Sequence, residues 1–132
     1  MVFKWTQALS VGVDQIDDQH KELFARVNKL MDAIKSNSDK NVTAEVMEFL
    51  EKYVEVHFAL EETYMERYDY YEEEKIVHEK EHEIFRQNFA ELKKEFVKSG
   101  ASKSFNQKLQ DHVCSWLLNH ISKVDTKLGQ FL

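Results

Sequence analysis

Residues 75–96 read KIVHEKEHEIFRQNFAELKKEF. Within them Lys75, His78, His82, Phe85, Phe89, Leu92 and Phe96 recur at steps of three and four, the period of one face of an α-helix. Ile76 continues near the same face. His78 and His82 stand one turn apart where a core-facing stripe ordinarily carries leucine. The stretch predicts a long helix, 72–97, with an aromatic buried face that turns titratable towards its N-terminal end.

Three more stripes share this period. His20, Phe24, Val27, Met31 and Ile34 predict a helix over 18–36, with Asp17 or Asp18 as its cap. Val46, Leu50, Tyr53 or Val54, His57, Glu61 and Tyr64 predict a second over 42–66. Phe105, Leu109, Val113, Trp116 or Leu117 and His120 predict a fourth over 104–121. Turn signals lie between them: KSNSDKN at 35–41, a turn near 68–71 ahead of the acids at 72–74, and KSGASKS at 98–104 with Gly100 as a C-terminal cap. Short connections imply antiparallel neighbours. The expected fold is therefore all-α: an up-down-up-down antiparallel four-helix bundle forming one domain over 1–132. The arm MVFKWTQALSVG packs Phe3, Trp5 and Leu9 on the bundle, and ISKVDTKLGQFL forms a short tail.

Composition agrees with this class. The chain of 132 residues has no Pro and 3 Gly, too few for the many tight turns of a β-rich fold. Its 9 Phe, 5 Tyr and 2 Trp must fill much of the core. A net charge of −6 argues against nucleic-acid and anionic-membrane surfaces. No apolar run approaches the roughly 20 residues of a membrane span, and the N-terminus does not read as a signal peptide. The single Cys114 excludes an internal disulfide and reads as a buried spectator. Met31, Met47 and Met65 read as core or rim fillers. A cytoplasmic monomer is expected.

The histidines carry the chemistry. Of 6, five fall on the stripes, at least one per helix: His20, His57, His78, His82 and His120. His112 lies off them. Buried imidazoles are costly unless each nitrogen has a partner, and facing one another they repel when protonated. A metal resolves both difficulties, because neutral imidazole ligates through one nitrogen and donates through the other. Glu61 lies four residues after His57 and Asp125 five after His120, and a cation would also justify burying these carboxylates. Seven ligands exceed the four of a tetrahedral zinc. Two octahedral ions offer about twelve positions, of which five imidazoles, two bridging carboxylates and one bridging oxide or hydroxide would fill about eleven. Roughly one would stay open for a small ligand. Iron, copper, zinc and nickel all suit imidazole-rich sites, and residue chemistry alone does not choose among them.

The segments GVDQIDDQHKELF around His20, HFALEETYM from His57, HEKEH at 78–82 and WLLNHISKVD at 116–125 together resemble the hemerythrin family, in its single-domain bacterial form. The resemblance covers nearly the whole chain, with every ligand position filled in order. Ferritin-like di-iron bundles use Glu-x-x-His pairs instead. The resemblance implies two iron ions with an oxo or hydroxo bridge and reversible O2 binding. His78, His82 and His120 would hold one iron, His20 and His57 the other, and Glu61 and Asp125 would bridge them. The two-histidine iron would keep the open position for O2. An apolar pocket should surround that position, and Phe58, Trp116, Leu117 and Ile121, beside His57 and His120, are its candidates, with Phe24 a further wall.

The expected activity is therefore O2 carriage, storage or delivery, not catalysis. The alternative is a di-iron enzyme or sensor acting on O2, peroxide or nitric oxide. Five imidazoles with only two carboxylates supply less anionic charge for high-valent iron than carboxylate-rich oxidases have, and the stripes hold no spare acid. A third possibility is a bundle stapled by zinc or free of metal.

Overall fold

The computed structural model describes residues 3–132. Four helical runs are joined by short turns: α1 (Asp14–Lys35), α2 (Lys40–Arg67), α3 (Glu72–Ser99) and α4 (103–131). The described residues contain no strand. Consecutive helices pack as antiparallel neighbours. The Tyr64 hydroxyl near the end of α2 donates to Gln15 at the start of α1, and Lys40 Nζ at the start of α2 donates to the Val97 carbonyl at the end of α3.

Local chemistry explains the boundaries. Helix α1 begins before the anticipated Asp17 or Asp18. Neither residue is its cap: Val13 takes that position without a side-chain hydrogen bond, and Asp14 and Asp17 both lie in the first turn. Asp17 is buried and turns outward from the helix to hold the arm, accepting from the Val11 backbone N–H (2.8 Å) and the Ser10 hydroxyl (2.5 Å). Asp39 caps α2 by accepting from the Asn41 N–H, and Ser102 caps α4 by accepting from the Phe105 N–H. Glu72, Glu73 and Glu74 fill the first turn of α3, where negative charge complements the helix dipole. Gly100 ends α3 with φ at 67°, a left-handed conformation open to glycine, and returns its N–H to the Phe96 carbonyl.

Two expectations about side-chain placement change. Ile76 is 57 % exposed, because the buried stripe of α3 passes through His78 and His82 and leaves Ile76 across the helix. Lys75 stays at the edge, paired with Glu66.

The tail, expected to be irregular or helical, is helical. α4 runs Lys103–Leu109, then a π-helical turn Gln110–Ser115, α-helix Trp116–His120, a second π turn Ile121–Asp125, and α-helix Thr126–Phe131. Asp125 therefore lies inside the fourth helix rather than past its end.

The apolar core has two unequal parts. The larger includes Phe24, Val27, Leu50, Phe58, Phe85, Phe89, Phe96, Phe105 and Leu117, joined by Phe3 of the arm stacked on Phe24 at 4.1 Å. The smaller consists of Met65, Tyr70 and Leu128 with Phe131 packed against them. On α2 Glu61 lies between Phe58 of the larger part and Met65 of the smaller, on α4 Asp125 lies between Ile121 and Leu128, and on α3 His78 and His82 precede Phe85 of the larger part.

Candidate metal centre

All seven candidate ligands are closed to solvent. They form two groups that share both carboxylates: Glu61, His78, His82, His120 and Asp125 in one, and His20, His57, Glu61 and Asp125 in the other. Within each group the ligand atoms lie within 4.8 Å of one another. Glu61 Oε1 is 3.4, 3.4 and 3.2 Å from the Nε2 atoms of His57, His78 and His82. Asp125 turns Oδ1 to His78 and His120 and Oδ2 to His20, at 3.0 Å in each case. His20 and His57 face each other Nε2 to Nε2 at 3.0 Å.

The second π turn makes this possible. In an α-helix five residues swing a side chain about 140° away. The wider i→i+5 ladder spends one extra residue on the turn, so Asp125 returns to the face of His120.

Outside the cluster, three imidazoles are oriented through Nδ1–H. His57 donates to Gln19 Oε1 at 2.8 Å, His82 to Glu62 Oε2 at 2.9 Å and His120 to Glu81 Oε1 at 2.8 Å. These bonds orient the rings and turn their Nε2 atoms inward, and in the neutral, metal-ligating form they fix the tautomer. Glu81, the fourth residue of HEKEH, looks from its own segment like any surface acid; it is instead the anchor of His120. Glu62 and Gln19 were equally unmarked. Their common signal is adjacency to a stripe ligand, one residue after Glu61 or before His82 and His20, which turns a side chain towards the neighbouring helix.

Electrostatics keep the carboxylates anionic. Burial pushes Glu61 up, but Asp125's like charge and this burial are outweighed by His57, His78 and His82, which bring it down to about 2. Asp125 is held well below its usual range against the same burial by His120, His20 and His78. Burial lowers His57 to about 4. It also acts to lower His78 and His120, yet Asp125 and Glu61 hold His78 up at about 9, and Asp125 with Glu81 holds His120 at about 10.

Both oxygens of Glu61, both of Asp125, and Nε2 of His78, His82 and His120 are buried without a hydrogen-bond partner. Such orphaned groups are costly. Converging on shared points, with a donor set of imidazole and carboxylate, they fit cations.

The match to known proteins decides the family. Residues 11–132 match the family model described as the hemerythrin HHE cation binding domain. The chain belongs to the hemerythrin family. Among its relatives, a bacteriohemerythrin of Methylococcus capsulatus (strain ATCC 33009 / NCIMB 11132 / Bath) is 36 % identical over 129 residues, covering 97 % of this chain and 95 % of the relative. A bacteriohemerythrin of Pseudomonas aeruginosa (strain LESB58) is 35 % identical over 121 residues, covering 92 % and 75 %. A myohemerythrin of Theromyzon tessulatum is 33 % identical over 125 residues, covering 95 % and 89 %.

The anticipated pocket residues of this hemerythrin-family chain separate into two kinds. Phe58, Leu117 and Ile121 are fully enclosed. Phe58 stacks on His82, with ring centres 3.8 Å apart and planes 7° apart. Trp116 stacks on His120 at 4.5 Å and 11°, but it is only half-buried and lines a surface groove with Glu81 and Lys123. Phe24 is buried in the larger core. Cys114 is buried beside Met31, off the ligand set. His112 faces Asn88 on the surface side of α3 and α4. No helix of the described residues is long and apolar enough to cross a membrane.

Proposed function

We propose that the cluster holds two iron ions and that the protein binds O2 reversibly, as a carrier, store or delivery protein rather than a catalyst. The observation carrying this reading is the convergence of unpartnered buried imidazole nitrogens and carboxylate oxygens into two groups sharing Glu61 and Asp125. Family membership and relatives named bacteriohemerythrin and myohemerythrin support the choice of iron and O2.

His78, His82 and His120 would hold one ion and His20 and His57 the other, with Glu61 and Asp125 shared. When bound, the iron pair supplies the two electrons and the open coordination position that O2 binding requires. The protein's part is positioning and exclusion. Gln19, Glu62 and Glu81 hold three rings in one tautomer. Phe58, Leu117 and Ile121 keep water from the cluster, which protects the reduced state against irreversible oxidation. O2 is the partner; no nucleic-acid or membrane contact is proposed, and the expected location is the cytoplasm.

Two measurements test the reading. Iron analysis should give about two per chain, falling together with thermal stability in His82→Ala and Glu61→Ala, because metal binding is linked to folding. One zinc per chain, or unchanged iron in both variants, defeats the ligand assignment. The reduced protein should regain its spectrum after O2 is added and removed. Permanent oxidation on the first exposure would assign it to the enzymatic alternative.

A further inference from the structure

The two groups differ in what stands behind their rings. In the three-histidine group, carboxylates accept the Nδ1–H of His82 and His120, Glu62 at 2.9 Å and Glu81 at 2.8 Å. Both carboxylates reach solvent, at 30 % and 33 % exposure, so each carries its charge without the cost of full burial. Glu62 is further steadied by Arg86 Nη2 at 3.6 Å. The same two rings are clamped face-on, His82 by Phe58 and His120 by Trp116. In the two-histidine group, His57 donates to the neutral amide oxygen of Gln19; the buried Nδ1 of one ring in each group, His20 here and His78 in the other, has no partner, so the difference is two carboxylates against one amide.

A carboxylate accepting an imidazole N–H makes a charge-assisted bond and raises the basicity of the opposite nitrogen. An amide does so far less. Resting on the two-metal reading above, we infer that Glu62 and Glu81 are positioning residues that make the two metal positions unequal beyond their ligand count. The three-histidine position is the tightly held one. The two-histidine position is weaker, more electron-poor and first to exchange its ion, and Gln19 sets that weakness.

The test is equilibration of the iron-loaded, reduced protein against a graded ferrous chelator without O2. Iron remaining on the chain resolves into two release steps. Glu62→Gln and Glu81→Gln are near-isosteric and remove only the charge. Each should weaken the tighter step by about tenfold, the lower end of the range for altering an outer hydrogen-bond partner, since the amide oxygen still accepts the N–H but without charge, and leave the weaker step within about threefold. Gln19→Glu should tighten only the weaker step, by about tenfold. A general structural role would move both steps together. Equal shifts in both steps, or no shift in any variant, overturn the inequality while leaving two metals in place. Release in a single step at one iron per chain overturns the two-metal reading itself.

Discussion

Deleting Lys123 should leave the metal cluster assembled, although it shortens the segment between two proposed ligands. Lys123 is exposed and lies in the π turn Ile121–Asp125. That turn spends five residues bringing Asp125 Oδ1 to 3.0 Å from His120 Nε2. An ordinary α turn achieves the same facing with four. Removing one residue therefore converts the π turn to α and keeps Asp125, and Leu128 beyond it, on their present face. Inserting one alanine after Lys123 does the opposite. A further rotation of about 100° at a Cα radius near 2.3 Å displaces the Cα by roughly 3.5 Å, more than the whole contact distance. The readouts are iron per chain after anaerobic reconstitution and the difference in Tm with and without iron. Each ion at a hundredfold excess over its Kd stabilises by about 2.7 kcal/mol, so two raise Tm by about 20 °C for a domain of this size. The deletion should keep about two irons and most of that rise, and the insertion should lose most of both. A deletion that loses iron as the insertion does would refute the claim that the π turn acts as a one-residue insert in an α-helix.

Two further outcomes follow from the packing. Gly129→Ala should destabilise by about 1–2 kcal/mol in urea unfolding, although alanine is favoured over glycine in helices by up to ~1 kcal/mol. The added Cβ would overlap the Val11 carbonyl oxygen and stand 2.9 Å from Val11 Cβ, forcing the arm away from α4, so a stabilised variant would contradict this close approach. Cys114 should react with a thiol reagent at pH 8 at least about a hundredfold more slowly than in the unfolded chain. Burial pushes its thiol up to about 11, the thiolate is the reactive form, and each pKa unit above the ordinary value removes about tenfold of it at this pH; labelling at the unfolded rate would show an open core.

Much of the architecture was legible because periodicity is a local property. The steps of three and four in α3 mark its buried face whatever packs against it, and the same rhythm locates His20 and His57. The end of α4 was not legible by that rule. A five-residue spacing contradicts the α period, so Asp125 reads as lying beyond the helix until the backbone shows a π turn. Asp17 misled similarly: an acid near a helix start reads as a cap, and only the folded arm shows it binding Val11 and Ser10 instead.

The sequence by itself determined that four amphipathic helices would form and that their stripes would carry five histidines and Glu61, since residue identity and spacing decide which face each side chain takes. Only the tertiary structure decided what meets across helices. Glu81 and Glu62 lie beside ligands on α3 and α2, and nothing in their own segments distinguishes them from the many surface acids. Their partners, His120 and His82, are 39 and 20 residues away. Spacing along one helix cannot specify which side chain faces it from the next, and that cross-helix pairing sets the ring orientations and the unequal backing of the two ligand groups.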